Sequence, residues 1–186
     1  MRYIASCSFG KDSLAMLIKI KELDMPLDDV IYCDIRFDDN ISGEMPLMAE
    51  FIPRAEKQLK EQYGIEVTHL RGITFKEQFY KVKQRGNHIG DNYGFPYTLG
   101  AWCNSRLKME PIRKYLKNIK EQFKQYIGIA YDEPKRYERL DHEKEIAPLY
   151  DLKITEQDAM EICRKNNLLL SPLYQSAFRG RMLVLC

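Results

Sequence analysis

Six residues near the start of the chain combine side-chain types that could bind phosphate: Ser8, Phe9, Gly10, Lys11, Asp12 and Ser13. An apolar run at residues 3–7 precedes them, and apolar residues at the spacing of one helical face follow. This pattern predicts a strand, a tight loop and the N-terminus of a helix, where backbone N–H groups and the positive end of the helix dipole converge. Gly10 lets a ligand approach the backbone closely and Lys11 adds a mobile cation. We therefore expect an anion of the nucleotide phosphate type.

The loop does not match the P-loop pattern Gly-x-x-x-x-Gly-Lys-Ser/Thr, which requires glycine at Ala5 and a hydroxyl residue at Asp12. It resembles instead the Ser-x-Gly-Lys-Asp-Ser signature of the ATP pyrophosphatases, or PP-loop enzymes, of the adenine nucleotide alpha hydrolase-like superfamily. These enzymes split ATP between its α and β phosphates. The resemblance implies nucleotide binding by Ser8, Phe9, Gly10 and Ser13 and catalysis by Lys11 and Asp12. An ordinary capped helix start is the alternative.

Three further segments are similar to the phosphoadenosine phosphosulfate (PAPS) reductase branch of this superfamily. The first covers residues 34–46 and is similar to an Asp-Thr-Gly that is followed by Phe-Pro and a helix. Carboxylates at the end of a parallel strand can take ribose hydroxyls or a hydrated Mg²⁺. We therefore expect Asp34 and Asp39 to bind the nucleotide and Asp39, together with Asp12, to hold Mg²⁺. Solvated turn residues are the alternative for Asp38 and Asp39.

The second segment, residues 102–111, is similar to the family's Trp-Cys-(Thr/Cys)-x-x-Leu-Lys-x-x-Pro. Arg106 and Lys108 are expected to open a helix there, where cations oppose the helix dipole unless an anion is bound. The resemblance implies that Arg106 binds the nucleotide and that Lys108 acts in catalysis by holding the acceptor. A solvated basic helix face is the alternative, because more cations follow between residues 113 and 120.

The third segment, residues 128–136, is similar to the family's Gly-Ile-Arg-x-Asp-Glu-Ser-x-x-Arg. It implies that Gly128 contacts the nucleotide and that Arg136 acts in catalysis on the acceptor side. Ala130 replaces the family's arginine, and Pro134 replaces its serine. Loss of a guanidinium removes a bidentate contact to phosphate or sulfate, so unmodified ATP is favoured over PAPS.

The end of the chain departs from the family. Relatives follow Asn-Pro-Leu-Tyr, similar to residues 171–174, with Gly-Cys-x-x-Cys, whereas residues 182–186 are Met-Leu-Val-Leu-Cys. The codons ATG CTG GTT CTG TGC encode these five residues and, one base later, Cys-Trp-Phe-Cys. We interpret residues 1–180 as one domain and 181–186 as a frameshifted tail. In an intact form, Cys103 could join two such thiolates around Zn or an iron–sulfur cluster; in this chain we expect no metal centre of that kind.

The elements that must position these motifs alternate along the chain. Apolar runs at residues 3–7, 30–33, 66–70 and 125–130 are typical of buried strands, and helical patterns separate them. One helix is predicted from Met48 to Tyr63, with Gly64 as its C-terminal stop. The alternation predicts an α/β fold, a mostly parallel twisted sheet with helices on both faces, and ligands at the carboxyl ends of its strands. Residues 86–101 are predicted to form a long loop, and Thr155 is predicted to cap a helix together with Asp158.

Length and composition suit one domain: 186 residues, 45% hydrophobic, with a net charge of +2. The small net charge does not indicate a nucleic-acid partner. No apolar stretch is long enough to span a membrane, and the chain begins with a core-like strand, so we expect a cytoplasmic protein without a membrane partner. The five cysteines are odd in number and widely spaced, which argues against a disulfide framework and favours mostly reduced thiols.

Together, these motifs predict an enzyme that binds ATP or a related adenine nucleotide with Mg²⁺ and adenylates an unidentified acceptor. A sulfonucleotide (PAPS or APS) reductase or sulfate-activation enzyme is one alternative, but a reductase needs a nucleophilic cysteine in its tail. A tRNA-modifying PP-loop enzyme is another, since residues 113–126 mix cations with aromatic residues. A nucleotide-binding protein without turnover is the third. A homodimer is compatible with all of them.

Overall fold

A computed structural model of the chain describes residues 1–96 and 101–174. Five strands form one sheet in the order β3-β2-β1-β4-β5, and every neighbouring pair runs parallel. The strands are β1 (Arg2–Ser6), β2 (Asp29–Cys33), β3 (Val67–Leu70), β4 (Phe123–Tyr126) and β5 (Glu145–Ile146). The predicted α/β fold is confirmed. The strand order reverses between β1 and β4, and open parallel sheets bind ligands at such a point, beyond the carboxyl ends of the strands.

Helices connect the strands and follow the last one. They are α1 (Lys11–Glu22), α2 (Pro46–Tyr63), α3 (Phe75–Tyr80), α4 (Glu110–Lys117), α5 (Pro134–Tyr137), α6 (Pro148–Asp151) and α7 (Glu156–Lys165). A π-helical segment, Asn104–Met109, runs directly into α4. As predicted, α2 ends at Gly64, whose φ of 63° is readily adopted only by glycine. The predicted capping box of Thr155 and Asp158 starts α7.

The helices cover both faces of the sheet, as predicted. On one face, α1, α2 and α7 pack in a large apolar core that includes Ala5 of β1. On the other face, Ile112 of α4 packs against Ile4 of the same strand and Ile31 of β2. Because successive side chains of a strand point to opposite faces, the neighbours Ile4 and Ala5 belong to different cores. The sheet is therefore buried on both sides, which leaves its carboxyl edge for a ligand.

The predicted strand at residues 125–130 is wrong in its second half. Ile127 still donates its N–H to the Ile146 carbonyl over 2.9 Å, but Ile129 donates back to Ile127 over 3.0 Å, so the chain turns at Gly128 and leaves the sheet. The other three predicted strands agree with the structure to within one residue at each end. Strand β5 was not predicted, because two residues are too few to show an alternating pattern.

Within residues 1–96 and 101–174, no helix combines the length and apolar character needed to cross a membrane. Residues 86–96 of the predicted long loop contain no helix or strand, whereas its residues 97–100 lie outside the described residues. The predicted frameshifted tail, residues 181–186, also lies outside them.

Candidate nucleotide-binding site

The predicted phosphate loop joins β1 to α1 as expected. Gly10 is the extended N-cap residue, and Lys11 is the first residue of α1. The Ser13 hydroxyl donates to the Gly10 carbonyl over 2.9 Å and accepts from the Ser8 N–H over 3.2 Å. Ser13 thus ties both sides of the loop to the first turn of the helix. This arrangement keeps the helix N-terminus directly behind the loop, where an anion is favoured.

Phe9 holds the loop in an unusual backbone conformation. Its φ is 56°, in the left-handed region that costs a residue with a side chain about 1–2 kcal/mol. Its ring is fully buried and packs edge-on against Tyr32 with 5.1 Å between ring centroids. Burial of the ring therefore stabilises a strained turn, a combination found often at functional sites. Phe9, predicted as a nucleotide contact, can offer a ligand only its backbone.

Gly128 lies against the start of α1. A Cβ atom at this position would lie 3.1 Å from the Ser13 nitrogen and 3.2 Å from the Asp12 carbonyl carbon, and both are backbone atoms that cannot easily move. Only glycine lets the segment after β4 approach so closely. The structure thus brings two motifs that are more than a hundred residues apart to one place, at the point where the strand order reverses.

Lys11 is not the mobile cation that its position predicted. Its ammonium lies 2.9 Å from a carboxylate oxygen of Asp12 and 2.9 Å from one of Glu156, and its side chain is only 9% exposed. Burial lowers the pKa of Lys11, but the bonds to Glu156 and Asp12 outweigh this and raise it. Burial raises the pKa of Asp12, which the Lys11 charge only partly opposes. One ammonium therefore pairs with two carboxylates, so the three groups together carry a net charge of −1, and an incoming phosphate would compete with the carboxylates for Lys11.

Two residues of this site were missed by the sequence predictions. Glu156, the first residue of α7, reaches Lys11 because α7 packs against α1. Tyr174 accepts a hydrogen bond from the Lys11 backbone N–H over 3.0 Å. Its phenol oxygen is therefore already bonded to one of the N–H donors at the N-terminus of α1. The capping box at Thr155 predicted where α7 begins, but it does not show that α7 packs against α1. The similarity of residues 171–174 to the family's Asn-Pro-Leu-Tyr assigns no role to Tyr174.

Asp34 and Lys108 lie at the carboxyl end of β2. The Asp34 carboxylate accepts from the Arg71 guanidinium over 2.8 Å. Nearby, burial raises the pKa of Glu44, whereas the Tyr32 hydroxyl, which donates to it over 3.1 Å, and the Lys108 charge lower it. The charge of Lys108 thus acts on a group near the carboxyl end of β2, and its predicted role on the acceptor side remains a prediction. Lys108 lies in the π-helical segment, a type of distortion that is frequent at functional sites.

Arg106 and Arg136 each pair with a glutamate of their own helical turn. The Arg106 guanidinium lies 3.2 Å from Glu110, and that of Arg136 lies 2.6 Å from Glu133. Both arginine side chains are about half exposed. Surface pairs of this kind contribute about 0–1 kcal/mol, so an anionic ligand could replace either glutamate. Their predicted roles in anion binding remain predictions.

Asp39 is not brought to the phosphate loop. It lies on the loop after β2 and lines a separate cavity of about 410 Å³ together with Lys76 and Tyr80, and no loop residue lines that cavity. Asp38 accepts from the N–H groups of Asn40 and Ile41, each over 2.9 Å, and these bonds lower its pKa. Asp38 is therefore a turn residue, in agreement with the alternative given above.

The cysteines do not form a metal centre in the described part of the chain. Cys7, Cys33 and Cys163 are free thiols, and burial raises their pKa to about 11, 11 and 12. Protonated thiols are poor metal ligands. Cys103, the predicted remnant of a cluster site, is buried beside Ile35. Among residues 1–96 and 101–174, no group of three or more Cys, His, Asp or Glu is placed to hold a metal ion.

Comparison with known proteins agrees with this architecture. The sequence model of the phosphoadenosine phosphosulfate reductase domain matches residues 2–180. The solved structure of the U34-tRNA thiolase NcsA from Methanococcus maripaludis, with its [4Fe-4S] cluster, is similar in fold, with a TM-score of 0.53 and 18% identity. The similarity covers 99% of this chain and 62% of that one.

Curated relatives match over shorter stretches. The proteins MJ0066 and MJ0973 of Methanocaldococcus jannaschii are each 29% identical, over 126 and 143 residues, which cover 66% and 75% of this chain. The nin region protein ORF290 of Escherichia phage lambda is 46% identical over 46 residues, or 24% of this chain. These matches cover 21%, 27% and 16% of the respective relatives, so the chain spans roughly a quarter or less of their length.

Proposed function

Because this chain belongs to the phosphoadenosine phosphosulfate reductase domain family, we propose that it binds ATP, or a related adenine nucleotide, and transfers its adenylyl group to an acceptor. The observation that carries this proposal is the approach of Gly128 to the Ser13 nitrogen, 3.1 Å from a Cβ built on the glycine. That approach places bare backbone from two strand ends around one helix N-terminus. A site built in this way suits the phosphates of a nucleotide.

In the proposed reaction, a nucleophilic oxygen or nitrogen of the acceptor forms a bond to the α-phosphorus. The bond from this phosphorus to the oxygen that bridges the α and β phosphates breaks, and its electron pair leaves with pyrophosphate. The acceptor loses its proton to the solvent. Loop N–H groups and Lys11 stabilise the charge that develops on the leaving phosphates. Lys108 and Arg136 hold the acceptor.

Lys11 can act in this way only after it exchanges a partner. A phosphate oxygen replaces the Glu156 carboxylate, whose side chain is 48% exposed and can turn into solvent. Asp12 stays next to Lys11 in the chain and is the better buried of the two carboxylates. Exchange of one anion for another at a buried ammonium avoids the cost of an unpaired charge.

The residues present fit Mg²⁺ in part. Mg²⁺ requires only one or two carboxylates in addition to the phosphates of its substrate, and Asp12 faces the space in front of Lys11. Asp39 does not fit, because it lines a different cavity. Bound Mg²⁺ would neutralise charge on the leaving phosphates. An iron–sulfur cluster does not fit the described residues, and the proposed reaction includes no step that depends on one.

One observation favours a more specific form of this proposal, in which the acceptor is a base of an RNA. The neighbour of similar fold is a U34-tRNA thiolase. A base whose carbonyl oxygen attacks the α-phosphorus becomes an adenylated intermediate of the kind described above. A sulfonucleotide substrate is less favoured, because Ala130 lacks the guanidinium that the family uses at this position and is itself fully buried.

Titration with ATP, AMP, adenosine phosphosulfate and PAPS, with and without Mg²⁺, tests the proposal by calorimetry. We expect Mg²⁺-dependent preference for ATP and at least tenfold weaker binding by Lys11→Ala. Lys57→Ala is the matched control, since Lys57 is exposed on α2 and lies 3.7 Å from Glu61 of the same helix. Unchanged ATP binding by Lys11→Ala, in a variant with a native circular dichroism spectrum, would contradict the proposal, and a preference for PAPS would favour the reductase.

A further inference from the structure

An aromatic cluster lies beside this site, at the carboxyl ends of β2 and β3. It consists of six side chains, Phe37, Phe75, Phe79, Tyr80, Phe95 and Trp102. The Phe75 centroid lies 5.0 Å from that of Trp102 and 5.5 Å from that of Phe37. Nevertheless, Phe95 and Tyr80 are 71% and 61% exposed, and Phe37 is 43% exposed. Rings exposed side by side to this extent are typical of a binding surface rather than of a core.

The connection that contains most of this cluster is strongly basic. Residues 71–124 include twelve Lys and Arg but only four Asp and Glu, a net charge of +8, whereas the whole chain carries +2. The remainder of the chain is therefore acidic, with a net charge of −6. The net charge of +2, from which we expected no nucleic-acid partner, is therefore the sum of a basic region and an acidic remainder.

Most of these cations are available to a ligand. Arg71 and Arg106 form ion pairs, with Asp34 and Glu110. By contrast, Lys81, Lys83 and Arg85, which lie between Tyr80 and Phe95 in the chain, form no ion pair with any described residue. Cations without carboxylate partners are the ones that contribute fully to binding a polyanion, because no internal pair must be broken.

Two chain segments that carry most of these rings and several of the cations pack against each other. The backbone of Gly72 packs on Pro111 so closely that a Cβ would lie 2.5 Å from the proline ring. Phe75 contacts Trp102, directly before the π-helical segment. The segment that follows β3 and the helical segment that ends in α4 therefore form one surface, which we call the basic–aromatic face. It includes Lys108, whose charge lowers the pKa of Glu44.

Unpartnered polar groups lie within this face. Gln78, on α3 between Phe75 and Phe79, is 1% exposed, and neither its amide nitrogen nor its amide oxygen has a hydrogen-bond partner. The Trp102 indole N–H has none either. Buried groups of this kind are normally satisfied, so they indicate a missing polar ligand.

The 410 Å³ cavity described above borders the face at Tyr80 and contains groups that suit a ribose. Its wall contains the Asp39 carboxylate and the Asn40 side chain beside Lys76 and the exposed Tyr80 ring. A carboxylate accepts from sugar hydroxyls, and the 2′-hydroxyl is the group by which a protein recognises RNA. Lys76, in the same wall, offers a cation to a neighbouring phosphate.

We propose that the basic–aromatic face binds single-stranded RNA and presents one of its bases to the nucleotide site as the acceptor. This inference rests on the proposed function. Bases stack on Phe95, Tyr80 and Phe37, the cations contact the phosphates, and the cavity beside Asp39 takes a ribose. Aromatic rings interleaved with unpaired cations are the usual means of holding an unpaired strand. Another protein with an acidic, apolar surface is the competing occupant.

Fluorescence anisotropy with a labelled single-stranded RNA of about 12 nucleotides tests this proposal. One stacked base contributes about 1–3 kcal/mol, so Phe95→Ala and Tyr80→Ala are each expected to weaken binding about 5- to 150-fold. Leu23→Ala, at an exposed apolar residue outside the face, is the matched control. Lys81→Gln should lower the slope of log affinity against log salt by about 0.7, and the control Lys57→Gln should not.

Three outcomes would overturn the proposal: no binding at low salt, equal affinity for the deoxy strand of the same sequence, or binding that Phe95→Ala leaves unchanged. Self-association or capture of a protein that Phe95→Ala abolishes, without RNA binding, would assign the face to a protein. ATP titration of the same variants separates this proposal from the proposed function. Phe95→Ala should bind ATP normally, and Lys11→Ala should bind RNA normally.

Discussion

The backbone N–H of Lys11 donates to the phenol oxygen of Tyr174 over 3.0 Å. This N–H is one of the donors that a helix offers to a phosphate, and in the free protein a neutral hydroxyl occupies it. The Tyr174 ring lies over Gly10, since a Cβ on that glycine would meet the phenol oxygen at 3.4 Å. The Tyr174 hydroxyl therefore lies in the phosphate loop, and we expect a bound nucleotide to displace it from the Lys11 N–H.

We expect Tyr174→Phe to bind ATP more tightly than the wild-type chain. Loss of the hydroxyl frees the Lys11 N–H, and one hydrogen bond has a net value of about 0.5–1.5 kcal/mol, so affinity should rise about 2- to 13-fold. Calorimetric titration measures the change. Tyr63→Phe is the matched control, because Tyr63 donates to Asn166, away from the loop. Weaker ATP binding by Tyr174→Phe would mean that the hydroxyl contacts the bound phosphate instead.

Gly128→Ala should abolish measurable ATP binding. The new methyl group would meet backbone atoms of Asp12 and Ser13 at 3.1–3.2 Å, so the loop must shift. We expect a loss of about 1–3 kcal/mol in the free energy of unfolding as well. Gly64→Ala separates the two effects. Its φ of 63° makes alanine cost about 1–2 kcal/mol of stability, but it lies at the far end of α2 and should leave ATP affinity unchanged.

Replacements of Phe9 should show that strain and burial act against each other in the loop. Phe9→Ala loses the buried ring but keeps the strain of a positive φ, and we expect a loss of about 3–5 kcal/mol in the free energy of unfolding. Phe9→Gly loses the same ring but relieves the strain, so it should be about 1 kcal/mol more stable than Phe9→Ala. Urea denaturation of both variants measures the difference. Equal stabilities would show that the loop is not strained.

Glu44→Gln should flatten the dependence of stability on pH. Burial raises the pKa of Glu44 above its usual 4.5, so the folded chain holds this proton more tightly than the unfolded chain. Stability from this group is therefore greatest below pH 4.5 and falls as pH rises through the higher folded value. A glutamine cannot ionise and still accepts from the Tyr32 hydroxyl, so the variant should be more stable than wild type at pH 8.

Urea denaturation at pH 5 and pH 8 measures this effect. The two proteins should differ less at pH 5 than at pH 8, because part of the wild-type population is then protonated at Glu44. Glu50→Gln, at an exposed position of α2, provides the control and should track the wild-type chain. A variant less stable than wild type at pH 8 would mean that Lys108 and Tyr32 together favour the carboxylate.

The sequence predictions were most accurate where local pattern determines the structure. Strand positions, the loop before α1 and the Gly64 stop all follow from residues close together in the chain. The partners of Lys11 could not be predicted, because Glu156 and Tyr174 reach it only through the packing of distant elements. Hydropathy likewise does not show that the chain turns at Gly128, since Ile127 and Ile129 continue the apolar run.

The distribution of charge, by contrast, could not be predicted from the overall composition. A total of +2 predicted no particular affinity for polyanions, yet residues 71–124, which connect β3 to β4, carry a net charge of +8. The same composition could have been distributed evenly. Only the fold shows that Gly72 and Pro111 meet and that their two segments share a face.

The pairing of Ala5 with Tyr126 has a consequence for the newly made protein. The first strand leaves the ribosome early, but its neighbour on one side is encoded about 120 codons later. Until that later stretch has emerged and docked, Ser13 lacks the glycine that closes the site around it. Any stabilisation that a ligand gives by binding between Ser13 and Gly128 is thus unavailable to the nascent amino-terminal half.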